Sequence, residues 1–108
     1  MKGLFTKIDS KRRMLIPAWV CKLYEIDQKQ LLEITVEYGW LCIKKFDSEV
    51  DVSKRPYTGI IRSFYSQNRI GIPREFCELL NINEDTSLEI DVEEPNKIRF
   101  RKCWKFSI

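Results

Sequence analysis

Histidine is absent from the 108 residues, and that absence removes more chemistry than any other feature of the composition. Neither a Ser-His-Asp nor a Cys-His catalytic set can be built, and no His-containing zinc site can form. The four cysteines, Cys21, Cys42, Cys77 and Cys103, never approach a C-x-x-C spacing, which argues against a four-thiolate metal knuckle. They read as reduced, mostly buried thiols of a cytoplasmic protein. Glycine and proline number only four each, too few for a collagen-like or low-complexity chain. No apolar run approaches the ~20 residues needed to span a bilayer. Met1–Lys7 carries no apolar core of a signal peptide. No constellation of residues suggests an enzyme, a cofactor or a metal. What is present is 44% apolar and 32% charged residues, enough for one modest core. Nineteen Lys and Arg against sixteen Asp and Glu give +3, a mildly basic balance compatible with a polyanionic partner.

The chain resembles itself. Residues 3–37 overlie 59–93 at an offset of 56 without a gap, matching Gly3 with Gly59, Ser10 with Ser66 and Arg13 with Arg69. Ile16-Pro17 falls on Ile72-Pro73, Cys21 on Cys77, Leu23 on Leu79 and Ile26 on Ile82. Leu32-Glu33-Ile34 falls on Leu88-Glu89-Ile90, and Val36-Glu37 on Val92-Glu93. That is thirteen identities in thirty-five positions, with Gly, Pro and Cys among them. One extra residue after the next turn aligns Leu41 with Ile98, Ile43 with Phe100 and Lys45 with Lys102. Such self-similarity implies an internal duplication.

Each copy carries the same pattern. Leu4–Ile8 and Ile60–Phe64 read as first strands, and Arg13–Pro17 and Arg69–Pro73 as second strands ended by a proline that cannot donate to a ladder. The same prolines suit a helix start, and short helices follow at 18–24 and 74–80. Val20, Leu23 and Tyr24 share one helix face, as do Phe76, Leu79 and Leu80. Third strands alternate Leu32, Ile34 and Val36 with Glu33, Thr35 and Glu37, and Leu88, Ile90 and Val92 with Glu89, Asp91 and Glu93. That alternation predicts one buried and one solvated face. Tyr38-Gly39 and Glu94–Asn96 then turn the chain into fourth strands at 41–45 and 97–101.

The expected organisation is a single domain, 1–108, of β-β-α-β-β repeats at 3–46 and 58–103, with a linker at 47–57 and a tail at 104–108. A unit of about 45 residues with no disulfide or metal rarely closes a core alone, so the two copies are expected to pack together.

Thr58–Arg62, Asn68–Pro73, Leu80–Ile82 and Ser87–Ile90 resemble the AbrB-type DNA-binding family. The first copy resembles it through Asp9–Pro17 and Leu32–Ile34. The resemblance implies a mainly β fold with two short helices, a swapped-hairpin β-barrel. Here one chain supplies both halves as an intrachain pseudo-dimer. It also implies a bacterial-type transcription regulator that contacts duplex DNA, and is nucleoid-associated when bound, through basic residues of the first hairpins. Arg62 and Arg69 match the family pattern position by position, and Arg13 matches Arg69. Lys7, Lys11 and Arg12 surround Arg13, and Arg74 lies near Arg69. Thr6 stands where the second copy has Arg62, and Cys21-Lys22 and Cys77-Glu78 stand where the family has an arginine pair, so unequal contact by the two copies is expected. Asn68 tolerates a left-handed backbone better than Arg12, which predicts a reshaped first turn.

Two other readings remain open. A related swapped-hairpin fold serves in antitoxins, whose partner would be a toxin. Asp9-x-x-x-Arg13 also resembles the signature of MraZ-like regulators, although the second copy has Tyr65 in place of the aspartate. Among the other residues, Cys21 and Cys77 read as small core fillers and Trp19 and Trp40 as packing residues. The glutamates and aspartate of the third strands read as a solvated acidic stripe. Trp104, Phe106 and Ile108 would form a self-association patch if the tail is exposed. If both halves come from one chain, light scattering should give the mass of a 13.0 kDa monomer. An obligate dimer would mean that hairpins are exchanged between chains.

Overall fold

Alternating apolar residues build the strands, and the two prolines set where strand gives way to helix. A computed structural model describes residues 4–27, 29–46, 59–64 and 66–103; the expected linker and tail lie outside these. The elements run β1 (Phe5–Lys7), β2 (Arg13–Leu15), α1 (Ala18–Leu23), β3 (Leu31–Glu37) and β4 (Trp40–Lys45). They continue with β5 (Ile60–Ser63), a 3-10 turn (Ser66–Asn68), β6 (Arg69–Gly71), α2 (Arg74–Leu80), β7 (Ser87–Asp91) and β8 (Ile98–Lys102). Pro17 and Pro73 precede the helices at φ −54° and −56°, with no side-chain cap.

Each helix ends in the same way. Glu25 (φ 57°) and Asn81 (φ 56°) take the left-handed conformation. Their N–H groups donate to Lys22 O and Glu78 O, while Ile26 and Ile82 donate to Cys21 O and Cys77 O. This paired bonding is the Schellman arrangement, and it satisfies carbonyls that a helix end would otherwise leave open. Ile26 and Ile82 are buried just beyond it.

The architecture is mainly β. A six-stranded antiparallel sheet runs in the order β1-β7-β8-β4-β3-β5, and β2 and β6 form a separate two-stranded ribbon. β1 therefore pairs with β7, and β5 with β3, far away along the chain. At β4–β8 the register brings Leu41 opposite Phe100 and Ile43 opposite Ile98, all four fully buried. On the ribbon Met14 faces Ile70, both fully buried, so its inner side joins the same core as Leu32, Ile34, Leu88 and Phe64. An Ile8–Met14 bridge and a 2.6 Å bond from Thr6 Oγ1 to Leu15 O tie β1 to β2.

The outer face of the sheet departs from the solvated stripe that alternation predicts. Glu37 pairs with Lys97 at 2.8 Å, Glu89 with Arg101 at 3.1 Å, and Asp91 with Arg99. The guanidiniums of Arg99 and Arg101 each lie over the Trp40 ring, 4.3 and 4.6 Å from its centre, as cation–π contacts. Glu33 is buried, with 2% exposure. Its strand is interior, flanked by β4 and β5. Its Oε2 accepts the Gly59 N–H at 3.2 Å, and Lys44 Nζ lies 3.7 Å from Oε1. Alternation reports which face a residue occupies, and cannot report whether cross-strand partners then cover that face. Trp19, expected to pack, is instead 43% exposed.

Gly59 crosses β3 at close range. A Cβ there would lie 2.6 Å from Thr35 Cγ2 and 2.7 Å from both Glu33 Cγ and Ile34 O. One of these contacts is rigid backbone, so Gly59→Ala should destabilise the fold by about 1–3 kcal/mol in urea unfolding. A variant as stable as the parent would mean that β5 can lift away from β3 without cost.

Candidate functional site

The turn joining β1 to β2 is organised by one side chain. Asp9 N–H donates to Arg13 O at 2.9 Å, and Arg12 N–H donates to Asp9 O at 3.0 Å. Asp9 Oδ1 accepts the N–H groups of Lys11 and Arg13, each at 2.9 Å. Aspartate closes turns in this way because its short side chain reaches backbone donors two and four residues on. Arg12 takes φ 60° and Asn68 takes φ 58°. The first turn is thus not reshaped at Arg12: the Asp9 bonds hold an arginine in a conformation that asparagine adopts more readily. The two turns differ elsewhere, since the second contains a 3-10 segment with Gln67 also left-handed.

On the ribbon, Arg13 pairs with Gly71 and Leu15 with Arg69, so these four residues share the side opposite Met14 and Ile70. The diagonal brings Arg13 and Arg69 to one carboxylate. Asp9 Oδ2 accepts Arg13 Nε at 3.0 Å and lies 3.6 Å from Arg69 Nη1. The two arginine side chains keep 41% and 33% exposure against 26% for Asp9. Burial would raise the Asp9 carboxyl, but the Arg13 and Lys11 N–H groups and the Arg13 guanidinium outweigh it and hold the acid below its ordinary range.

The other expected contact residues are distributed unequally. Lys7, Lys11 and Arg12 are exposed, and no salt bridge joins them to another described residue. Arg12 and Arg74 line an open cleft of about 530 Å³ with Cys77, Asn81 and Asp85, and Arg74 also pairs with Glu78 at 3.6 Å. Arg62 is not gathered with them. It sits opposite Leu32 on the side of β5 that turns inward, half-buried, and bonds Ile61 O at 3.2 Å. Its counterpart Thr6 is buried. Asp9 is the member that reading for basic residues overlooks; the signal for it is its place four residues before Arg13. Cys21 and Cys77 are buried, and burial pushes both thiols up, away from the reactive thiolate. Among the described residues no group of three or more Cys, Asp or Glu is placed to hold a metal, and no helix is long and apolar enough to cross a membrane.

No protein-family model and no curated protein matches the chain. It is similar in fold to the solution structure of PHS018 from Pyrococcus horikoshii, with a TM-score of 0.50 and 19% sequence identity. The match covers 93% of this chain and 86% of that one. At this identity the likeness concerns the fold alone.

Because the Asp9 pKa is lower folded than unfolded, its contribution to stability is complete above the unfolded value of about 3.9. It is lost as pH falls through the folded value. Asp9→Asn should therefore be less stable than the parent near pH 6, and the difference should shrink as pH drops below about 4. Urea unfolding at several pH values measures this, and a pH-independent difference would remove the carboxylate charge from the account.

Proposed function

We propose that the chain is a duplex-DNA-binding regulator of the AbrB type, a fused pair of swapped-hairpin halves closed into one barrel by the ribbon. The observation that carries this reading is the ribbon itself. It brings Arg13 and Arg69, fifty-six residues apart, to one outward side, with Lys11 and Arg12 on the adjoining turn. A duplex carries about one negative charge per 1.7 Å, so a compact outward group of cations is what its phosphates require. Arginine suits the task because its planar fork can bind phosphate or a guanine edge with two hydrogen bonds.

The pairing of the halves supports the same reading. Ile16 N–H donates to Asn68 O and Ile72 N–H to Arg12 O, both at 2.8 Å, a reciprocal exchange between positions related by the offset of 56. β1 pairs with β7 and β5 with β3 in the same reciprocal sense. In this reading the chain occupies DNA without chemistry of its own, and contact centres on the ribbon and first turn, with Arg62 contributing less. The unequal halves suit a site that is not a perfect palindrome, since protein symmetry is normally mirrored in the DNA.

Fluorescence anisotropy with a labelled duplex across a salt series tests the proposal. The affinity should fall with salt at a slope of about −0.9 per phosphate neutralised. Arg13→Ala with Arg69→Ala should weaken binding by roughly tenfold or more at low salt and flatten that slope by about 1–2. Absence of binding at low salt would overturn the function, and a double variant that binds like the parent would overturn the site.

A further inference from the structure

Asp9 uses its two carboxylate oxygens for different purposes. Oδ1 holds the turn, through the Lys11 and Arg13 N–H groups. Oδ2 meets Arg13 and Arg69, the two arginines of the ribbon's outer side. An asparagine could keep the first set of bonds, because its carbonyl oxygen accepts in the same place. What aspartate adds is the second set and a negative charge. That charge is not duplicated: the position fifty-six residues on is Tyr65. One carboxylate therefore answers two guanidiniums, and the three side chains together carry +1 rather than +2.

We infer that Asp9 is an internal counter-anion that competes with nucleic-acid phosphate for Arg13 and Arg69 and so limits the affinity of the chain for DNA. This rests on the DNA-binding reading above. A phosphate approaching the ribbon meets arginines already committed through Arg13 Nε and Arg69 Nη1 to a carboxylate that repels it. Full engagement requires the guanidiniums to exchange one anion for the other. Contacts that draw both arginines off Asp9 are favoured only where the duplex offers them phosphates or guanine edges in good geometry, so a weak, salt-sensitive grip on arbitrary DNA is damped.

The test compares the parent with Asp9→Asn, and with Asp9→Ser as a second variant that retains an oxygen acceptor for the turn. Each is titrated with a random-sequence duplex over a salt series, with thermal melting as the fold control. Either folded variant should bind on the order of tenfold more tightly at low salt, with the slope steeper by about 0.9 for each arginine released to a phosphate. Adding Arg13→Ala and Arg69→Ala should abolish the gain. Unchanged or weaker binding by a folded variant would make Asp9 neutral or a preorganiser and overturn the inference, as would a gain that survives loss of both arginines. If both variants lose their cooperative melt, Asp9 is a turn scaffold and the inference falls. If the parent binds and the variants gain nothing, only this inference fails; if neither parent nor folded variants bind, the DNA reading fails and takes it down too.

Discussion

Neither half of this chain owns a complete sheet. β1 finds its sheet partner in β7, β5 finds its own in β3, and β2 forms its ribbon with β6. Within a half, the third and fourth strands pair as a hairpin, but the two hairpins meet through β4 and β8. Backbone polar groups left open in a buried strand carry a penalty of about 1–3 kcal/mol each, so a half on its own would face several such penalties and an uncovered apolar face. The ribbon and the sheet therefore form together. Everything built on the ribbon, including the meeting of Arg13, Arg69 and Asp9, exists because β2 pairs with a strand more than fifty residues away.

Positions related by the offset of 56 take different roles on similar backbone. Glu33–Lys44 and Glu89–Arg101 are cross-strand pairs at matched places, yet Glu33 is buried and Glu89 is half-exposed. Thr6 spends its hydroxyl on Leu15 O, whereas Arg62, on the corresponding strand, keeps a cation at the inward side of β5. Arg12 and Asn68 share a left-handed conformation, but only the first turn has an aspartate to hold it. Under the proposed duplication, backbone geometry is the retained quantity, because it satisfies hydrogen bonds that both halves need.

Much of this was legible in the residues. Proline at 17 and 73 marks the change from strand to helix in both halves, and the alternation over 32–36 and 88–92 marks the third strands. Tyr38-Gly39 supplies two left-handed residues in succession, as a two-residue hairpin turn demands. What could not be read was three-dimensional partnership. Whether Glu33 faces water or β5 depends on Gly59, twenty-six residues away. The inward side of Arg62 follows from its register against Leu32. The commitment of Arg13 and Arg69 to one carboxylate follows from a diagonal across the ribbon, which no one-dimensional spacing contains.

The net charge of +3 says little until these partnerships are counted. On the outer face of the sheet Lys44, Lys97, Arg99 and Arg101 each lie against a carboxylate. Exposed pairs of this kind add little stability, but their electrostatic consequence is larger than their energy. Opposite charges a few ångströms apart nearly cancel at a Debye length of about 10 Å, so that face projects little field. The first turn and the ribbon are arranged otherwise. Lys7, Lys11 and Arg12 are exposed beside two arginines that share a single aspartate. The ribbon, where β2 meets β6, is therefore a place at which two arginines share one carboxylate. Nineteen cations spread evenly would give the same net charge and no such place.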